Sequence, residues 1–175
     1  MRTITLITTG GTLEKVYDET TGTLVNRHSN VAHILQGLRL EDTRINIHEL
    51  LNKDSLDMTD VDRALIVETV RNECDNPGID GVIVLHGTDT LSETGERLFA
   101  DIKNPRVPIV LTGAMRPYEL KQSDALQNLT ESIFAVGVLD PGVYAVVHGR
   151  SLKFPGVVKD RTRGTFDSGE QLANE

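Results

Sequence analysis

The chain has 175 residues, with 26 acidic and 18 basic side chains, a formal net charge of −8 and 38% apolar residues. A chain of this length buries about 70% of its unfolded surface, enough for one domain with one sizeable core, and its frequent apolar runs argue against disorder. The acidic balance and 4% aromatic content count against a nucleic-acid binder, and no apolar run approaches the ~18 residues of a membrane span.

Thr3 to Thr8, rich in Ile, Leu and Thr, reads as the first strand. A short helix is expected near Asn30 to Gln36, and Ile45 to Leu51 reads as the second strand. Thr59-Asp60-Val61-Asp62 opens a helix with Val61, Leu65 and Cys74 at helical spacing. The single cysteine, Cys74, has no partner for an internal disulfide, which fits a reducing compartment, and is expected buried on that helix. Gly81 to His86 is an apolar run of the kind found in a parallel strand covered on both faces. Thr90-Leu91-Ser92-Glu93 predicts a capping box, followed by Leu91, Leu98, Phe99 and Ile102 on one helix face. Pro108 to Thr112 is the fourth strand, Ser123 opens a helix carrying Leu126, Leu129, Ile133 and Val136, and Val143 to His148 is the fifth strand. Strands alternating with helices imply a parallel sheet. The expected fold class is α/β, a doubly wound, flavodoxin-like, mostly parallel sheet with helices on both faces, in one domain over residues 1–163. After Gly149 the pattern turns irregular, and 164–175 reads as a polar, loosely held tail. Met1-Arg2-Thr3-Ile4 opens no signal-peptide apolar region, so a cytoplasmic location is expected.

In open α/β sheets ligands bind beyond the carboxyl ends of the strands. The least ordinary segments fall at those ends: Thr8-Thr9-Gly10-Gly11-Thr12, Asp54-Ser55-Leu56-Asp57-Met58, His86-Gly87-Thr88-Asp89-Thr90 and Thr112-Gly113-Ala114-Met115-Arg116-Pro117. Paired glycines let backbone approach a ligand and expose N–H donors for a phosphate or a developing oxyanion. The Thr8–Thr12 spacing matches neither a Walker loop nor a dinucleotide fingerprint, and a bare turn would also account for Gly10-Gly11. Thr88-Asp89 serves equally as helix-start decoration or as a hydroxyl aimed at a substrate. No Gly-x-Ser-x-Gly elbow occurs. Histidines 28, 33, 48, 86 and 148 show no metal spacing. His86 and His148 are expected to satisfy loop groups, Asp57, Asp60 and Asp62 to bracket a helix start, and Arg161 and Arg163 beside Lys159 to form a solvated basic turn.

Taken in order, Thr9-Gly10-Gly11-Thr12, Asp54 to Met58, His86 to Thr90 and Gly113 to Pro117 resemble the bacterial-type L-asparaginase family. The match covers only that family's amino-terminal domain. The resemblance implies hydrolysis of L-asparagine to L-aspartate and ammonia, without metal or cofactor. It implies Thr12 as nucleophile on a covering loop, Tyr17 beside it, and Thr88 as a second catalytic threonine linked to Asp89 and Lys159. Gly11, Asp54, Ser55, Gly87, Thr88, Asp89 and Ala114 are implied substrate contacts. Phe166 follows Lys159 about two residues sooner than the family pattern, and Leu56 stands where a polar residue is often found. The family's carboxyl-terminal domain, which supplies amine contacts, has no counterpart here, so weaker substrate affinity is expected. A homo-oligomer is also expected, with a tetramer as one form, and neither nucleic acid nor membrane as partner. Glutamine or an amidotransferase-type amide is the alternative substrate, and a non-catalytic flavodoxin-like binding module is the alternative class. A receiver domain would need acids after the first strand, and a flavin module more aromatics than Tyr17, Tyr118 and Tyr144.

Overall fold

The computed structural model describes residues 1–26 and 29–169. Strand β1 (Arg2–Gly10) is followed by a single 3-10 turn (Thr12–Glu14), a small antiparallel hairpin of β2 (Val16–Asp18) and β3 (Thr23–Val25), helix α1 (Val31–Gln36) and strand β4 (Thr43–Lys53). Then come α2 (Asp60–Asp75), β5 (Gly81–Leu85), α3 (Leu91–Asp101), β6 (Pro108–Thr112), α4 (Ala125–Val136) and β7 (Gly142–Val147). The chain closes with β8 (Arg150–Lys153), β9 (Val157–Asp160) and β10 (Thr165–Ser168).

The main sheet runs β4-β1-β5-β6-β7-β8, parallel except for β8, which pairs antiparallel with β7. Counting only the five parallel strands, the order is that of a flavodoxin-like sheet, with its switch point between β1 and β5. Alternate residues of each strand face opposite layers. Ile7, Val82, Val84, Ile109 and Leu111 pack against Ile66, Val70 and Leu98 of α2 and α3. Ile4, Leu6, Ile83, Leu85 and Val110 pack against Ile34 of α1 and Leu129 and Ile133 of α4. Two buried layers on one sheet explain why β5, β6 and β7 read as apolar runs.

Three expectations are corrected. The capping box at Thr90 does not form: its hydroxyl donates instead to the Ser55 carbonyl, 2.9 Å away, and Glu93 pairs with Arg63. The box forms one helix earlier, where Thr59 and Asp62 satisfy each other's backbone N–H groups. On α2 the buried face is Ile66, Val67, Val70 and Cys74, while Val61 and Leu65 are exposed, because the sheet contacts the stripe set by Ile66 and Val70. Finally, the described residues after Gly149 carry three strands, β8, β9 and β10. β8 is short and alternately exposed, so its apolar content is too low to read. Within the segment expected as a tail, Thr165–Ser168 pairs with β9, with Phe166 opposite Lys159 and fully buried. Positions 170–175 of that segment, and His28, lie outside the described residues. The loop after Thr12 carries the 3-10 turn and the β2–β3 hairpin.

Candidate active site

Three close backbone approaches build the crevice. Gly11 has φ 88°, and a Cβ there would lie 2.5 Å from the Gly87 nitrogen. At Gly87 a Cβ would lie 2.5 Å from Ser55 Oγ, and at Gly113 2.2 Å from the His86 carbonyl oxygen. Glycine alone fits at each point, so the carboxyl ends of β1, β5 and β6 and the turn after β4 meet in one place. Thr12 and Thr88 each follow one member of the Gly11–Gly87 contact.

Thr88 is buried, and its hydroxyl oxygen lies 2.8 Å from Lys159 Nζ. Lys159 also donates to Asp89 Oδ1 at 3.0 Å, and Arg161 reaches the same oxygen at 2.9 Å. The Lys159 hydrogen bond is the main reason that the Asp89 carboxyl sits below the usual aspartate range; burial opposes it, and Arg161 adds a lesser pull in the same direction as Lys159. Hydroxyl, ammonium and carboxylate therefore form one chain. Lys159 stands on β9, whose partner β10 is anchored by the buried Phe166 and by the Asp167 carboxylate held by Arg150 and Arg163.

Asp54 caps the 3-10 turn Ser55–Asp57 by accepting from the Leu56 N–H at 3.1 Å, and pairs with Lys15 at 2.6 Å. Lys15, then the Leu56 amide, hold its carboxyl below the usual range. Ser55 is buried against Gly87, while Leu56 is exposed. Ala114 is buried in the turn after β6, where Asp124 accepts the Met115 and Arg116 N–H groups. Burial raises the Asp124 carboxyl, but the Met115 amide, His148 and the Arg116 amide together outweigh it and hold it low.

Of the site residues expected from sequence, Thr88, Asp89 and Lys159 are hydrogen-bonded together, and Gly11, Gly87 and Ser55 are in contact. Tyr17 is 52% exposed on the β2–β3 hairpin, and among the described residues no hydrogen bond links it to that group. Three partners escaped the sequence reading: Lys15 for Asp54, Arg161 for Asp89, and the backbone oxygen of Ser55 for Thr90. All lie far from their partners in sequence and in unremarkable polar contexts.

His86 is fully buried; its Nδ1 lies 2.8 Å from the Gly87 carbonyl and so must carry the proton, leaving Nε2 to accept from Thr94. Burial pushes its pKa down to about 4, so it stays neutral. His148 bridges Thr165 and Asp124 at 2.9 and 2.8 Å. Both histidines satisfy neighbouring groups, as their positions suggested. The Cys74 thiol is pushed up to about 12, chiefly by burial, and is not a nucleophile. Among the described residues no group of three or more His, Cys, Asp or Glu could hold a metal ion, and no helix is long and apolar enough to cross a membrane.

The sheet order defines a doubly wound α/β domain, with the candidate site in the polar crevice at the carboxyl ends of β1 and β5. Residues 3–172 match the amino-terminal domain of the asparaginase family, and the chain belongs to that family. An L-asparaginase from Thermococcus kodakarensis is 38% identical over 111 residues, 63% of this chain and 33% of that protein. A glutamyl-tRNA(Gln) amidotransferase subunit from Methanobrevibacter smithii is 34% identical over 147 residues, 83% of this chain and 33% of that one. Among solved structures, the thermostable L-asparaginase of Thermococcus kodakarensis superimposes with a TM-score of 0.85 at 29% identity, covering 95% of this chain and 51% of that one. L-asparaginase I of Vibrio cholerae gives 0.84 at 25% identity, with the same coverage. The chain thus spans about a third of these curated relatives and about half of these solved chains.

Proposed function

We propose that this domain hydrolyses the side-chain amide of L-asparagine, giving L-aspartate and ammonia, with Thr12 as nucleophile. The observation that carries the reading is the Thr88–Lys159–Asp89 chain set beside the Gly11–Gly87 contact. A threonine hydroxyl attacks an amide only if a base takes its proton and donors hold the oxyanion. Lys159, tied to Thr88, takes the Thr12 proton when its amine is free and returns it to the departing nitrogen as ammonia leaves, while Asp89 keeps the lysine in place and offers a carboxylate to the substrate ammonium. Backbone N–H groups near Thr88 and Ala114 face the developing oxyanion. Loss of ammonia leaves an ester on Thr12, which water cleaves. The reading needs no metal or cofactor, and includes a cytoplasmic homo-oligomer.

A second reading is favoured by the glutamyl-tRNA(Gln) amidotransferase relatives, which match over more of the chain than the first L-asparaginase does. In it the same chemistry releases ammonia for a partner protein.

Ammonia release from L-asparagine and L-glutamine, by the wild type, Thr12→Ala and Thr88→Ala, tests both. Asparagine turnover that falls by roughly a thousandfold or more in either variant supports the first reading. Preference for glutamine moves it to the second, and release unchanged by both substitutions removes the site from the chemistry.

A further inference from the structure

Between Thr8 and Gly10, β1 advances two residues while its neighbour β4 advances four, from Glu49 to Lys53. The two extra residues form a bulge at Leu50–Asn52 that opens the ladder. Behind it lies a recess of about 290 Å³, lined by the bulge together with Thr8, Glu14, Ser29 and Glu49. Glu14 is 2% exposed, and its two oxygens differ. Oε2 accepts the Gly10 N–H at 3.1 Å, whereas Oε1 is buried without a hydrogen-bond partner. A buried acceptor left unmade costs about 1–3 kcal/mol, and more when charged. Burial raises the Glu14 carboxyl above its usual range and the Glu49 charge adds to this, with the Ser29 hydroxyl and the Gly10 amide only partly opposing.

A carboxylate oxygen without a partner, a second carboxylate nearby and neutral oxygens around them make a receptor for positive charge. The volume equals that of several waters at about 30 Å³ each, far more than a bare ion fills. Two carboxylates with hydroxyl and amide groups, and no histidine or thiol among the described lining residues, suit N–H donors rather than a transition metal. We propose that this recess binds a small organic cation with a primary ammonium group, which donates to Glu14 Oε1 and is balanced by Glu49. Glu14 ends the 3-10 turn that Thr12 begins and holds the Gly10 amide. An occupant would therefore act directly on the turn that carries Thr12.

The site stands apart from the Thr88–Lys159 group, and its test does not depend on what the chain hydrolyses. Calorimetric titration of the full chain with n-butylammonium chloride, against tetramethylammonium chloride at equal ionic strength, reads binding directly. The expected result is saturable one-to-one binding of n-butylammonium, no binding of tetramethylammonium, which has no N–H, and roughly tenfold or greater weakening in Glu14→Gln. The Gln amide oxygen still accepts from Gly10, so the turn is kept. Glu49→Gln lies on the surface and is expected to weaken binding severalfold, and it decides the matter should Glu14→Gln fail to fold. Absence of saturable heat with wild type, equal binding of both cations, or binding unchanged in the folded variants would overturn the proposal.

Discussion

Gly95 lies within α3, where replacement by alanine ordinarily stabilises a helix by about 1 kcal/mol. Here packing reverses that expectation. A Cβ at Gly95 would stand 2.0 Å from Phe154 Cζ and 2.5 Å from both Cε atoms. Phe154 is itself fully buried between α3 and the sheet, so the ring has no free space to enter. Overpacking of this kind costs about 1–3 kcal/mol, which leaves Gly95→Ala less stable by about 1 kcal/mol net. For a domain of this size, Tm falls by about 2–4 °C per kcal/mol, readable by circular dichroism melting. The clash is specific to the ring tip, so in a Phe154→Leu background the same Gly95→Ala change should no longer destabilise, and the pair should be markedly non-additive. Phe154 also leads directly into β9, so Gly95→Ala should lower turnover more than its stability loss alone accounts for. A rise in Tm for the single variant, or simple additivity in the pair, would refute the packing argument.

Three further outcomes follow from charge. Glu14→Gln should be more stable than wild type at neutral pH: the folded carboxyl is raised, so its ionised form opposes folding, and the advantage should vanish below pH ~4.5 in paired denaturant titrations. Asp62, hydrogen-bonded by Lys53 and by Thr59, titrates at about 2. Asp62→Asn should cost about 1 kcal/mol at neutral pH, as for a lost cap, and the penalty should fade as pH falls from the ordinary aspartate range through about 2. Lys159→Met should move the Asp89 carboxyl titration, followed by carbon NMR, upward toward the ordinary aspartate value; a titration left in place would deny Lys159 its leading part.

Four of the five parallel strands, β1, β5, β6 and β7, were legible because each is buried on both faces, and such strands cannot contain polar residues without partners; β4, at the sheet edge, is largely exposed. The crevice was legible for a related reason: Gly11, Gly87 and Gly113 stand where any Cβ would strike backbone or the buried Ser55 side chain, so composition itself marks the contacts. What stayed hidden depends on distance along the chain. Nothing around Lys15 distinguishes it from a surface lysine, yet it pairs with Asp54. Thr90 has a capping-box sequence, but a carbonyl from another loop takes its hydroxyl. Glu14 is buried beside the β4 bulge, and a bulge leaves no mark in the periodicity of a sequence.

The lysine of the crevice comes 71 residues after the threonine that it touches, on a strand that follows all five parallel strands along the chain. Loop closure over such a span comes late in folding. A nascent chain that has emerged only as far as β7 would therefore present Thr12, Thr88 and Asp89 without Lys159, the proton carrier of the proposed reading. On the proposed reading, chemistry at this site waits for the β9–β10 hairpin to dock, and turnover becomes a report on the docking of that hairpin.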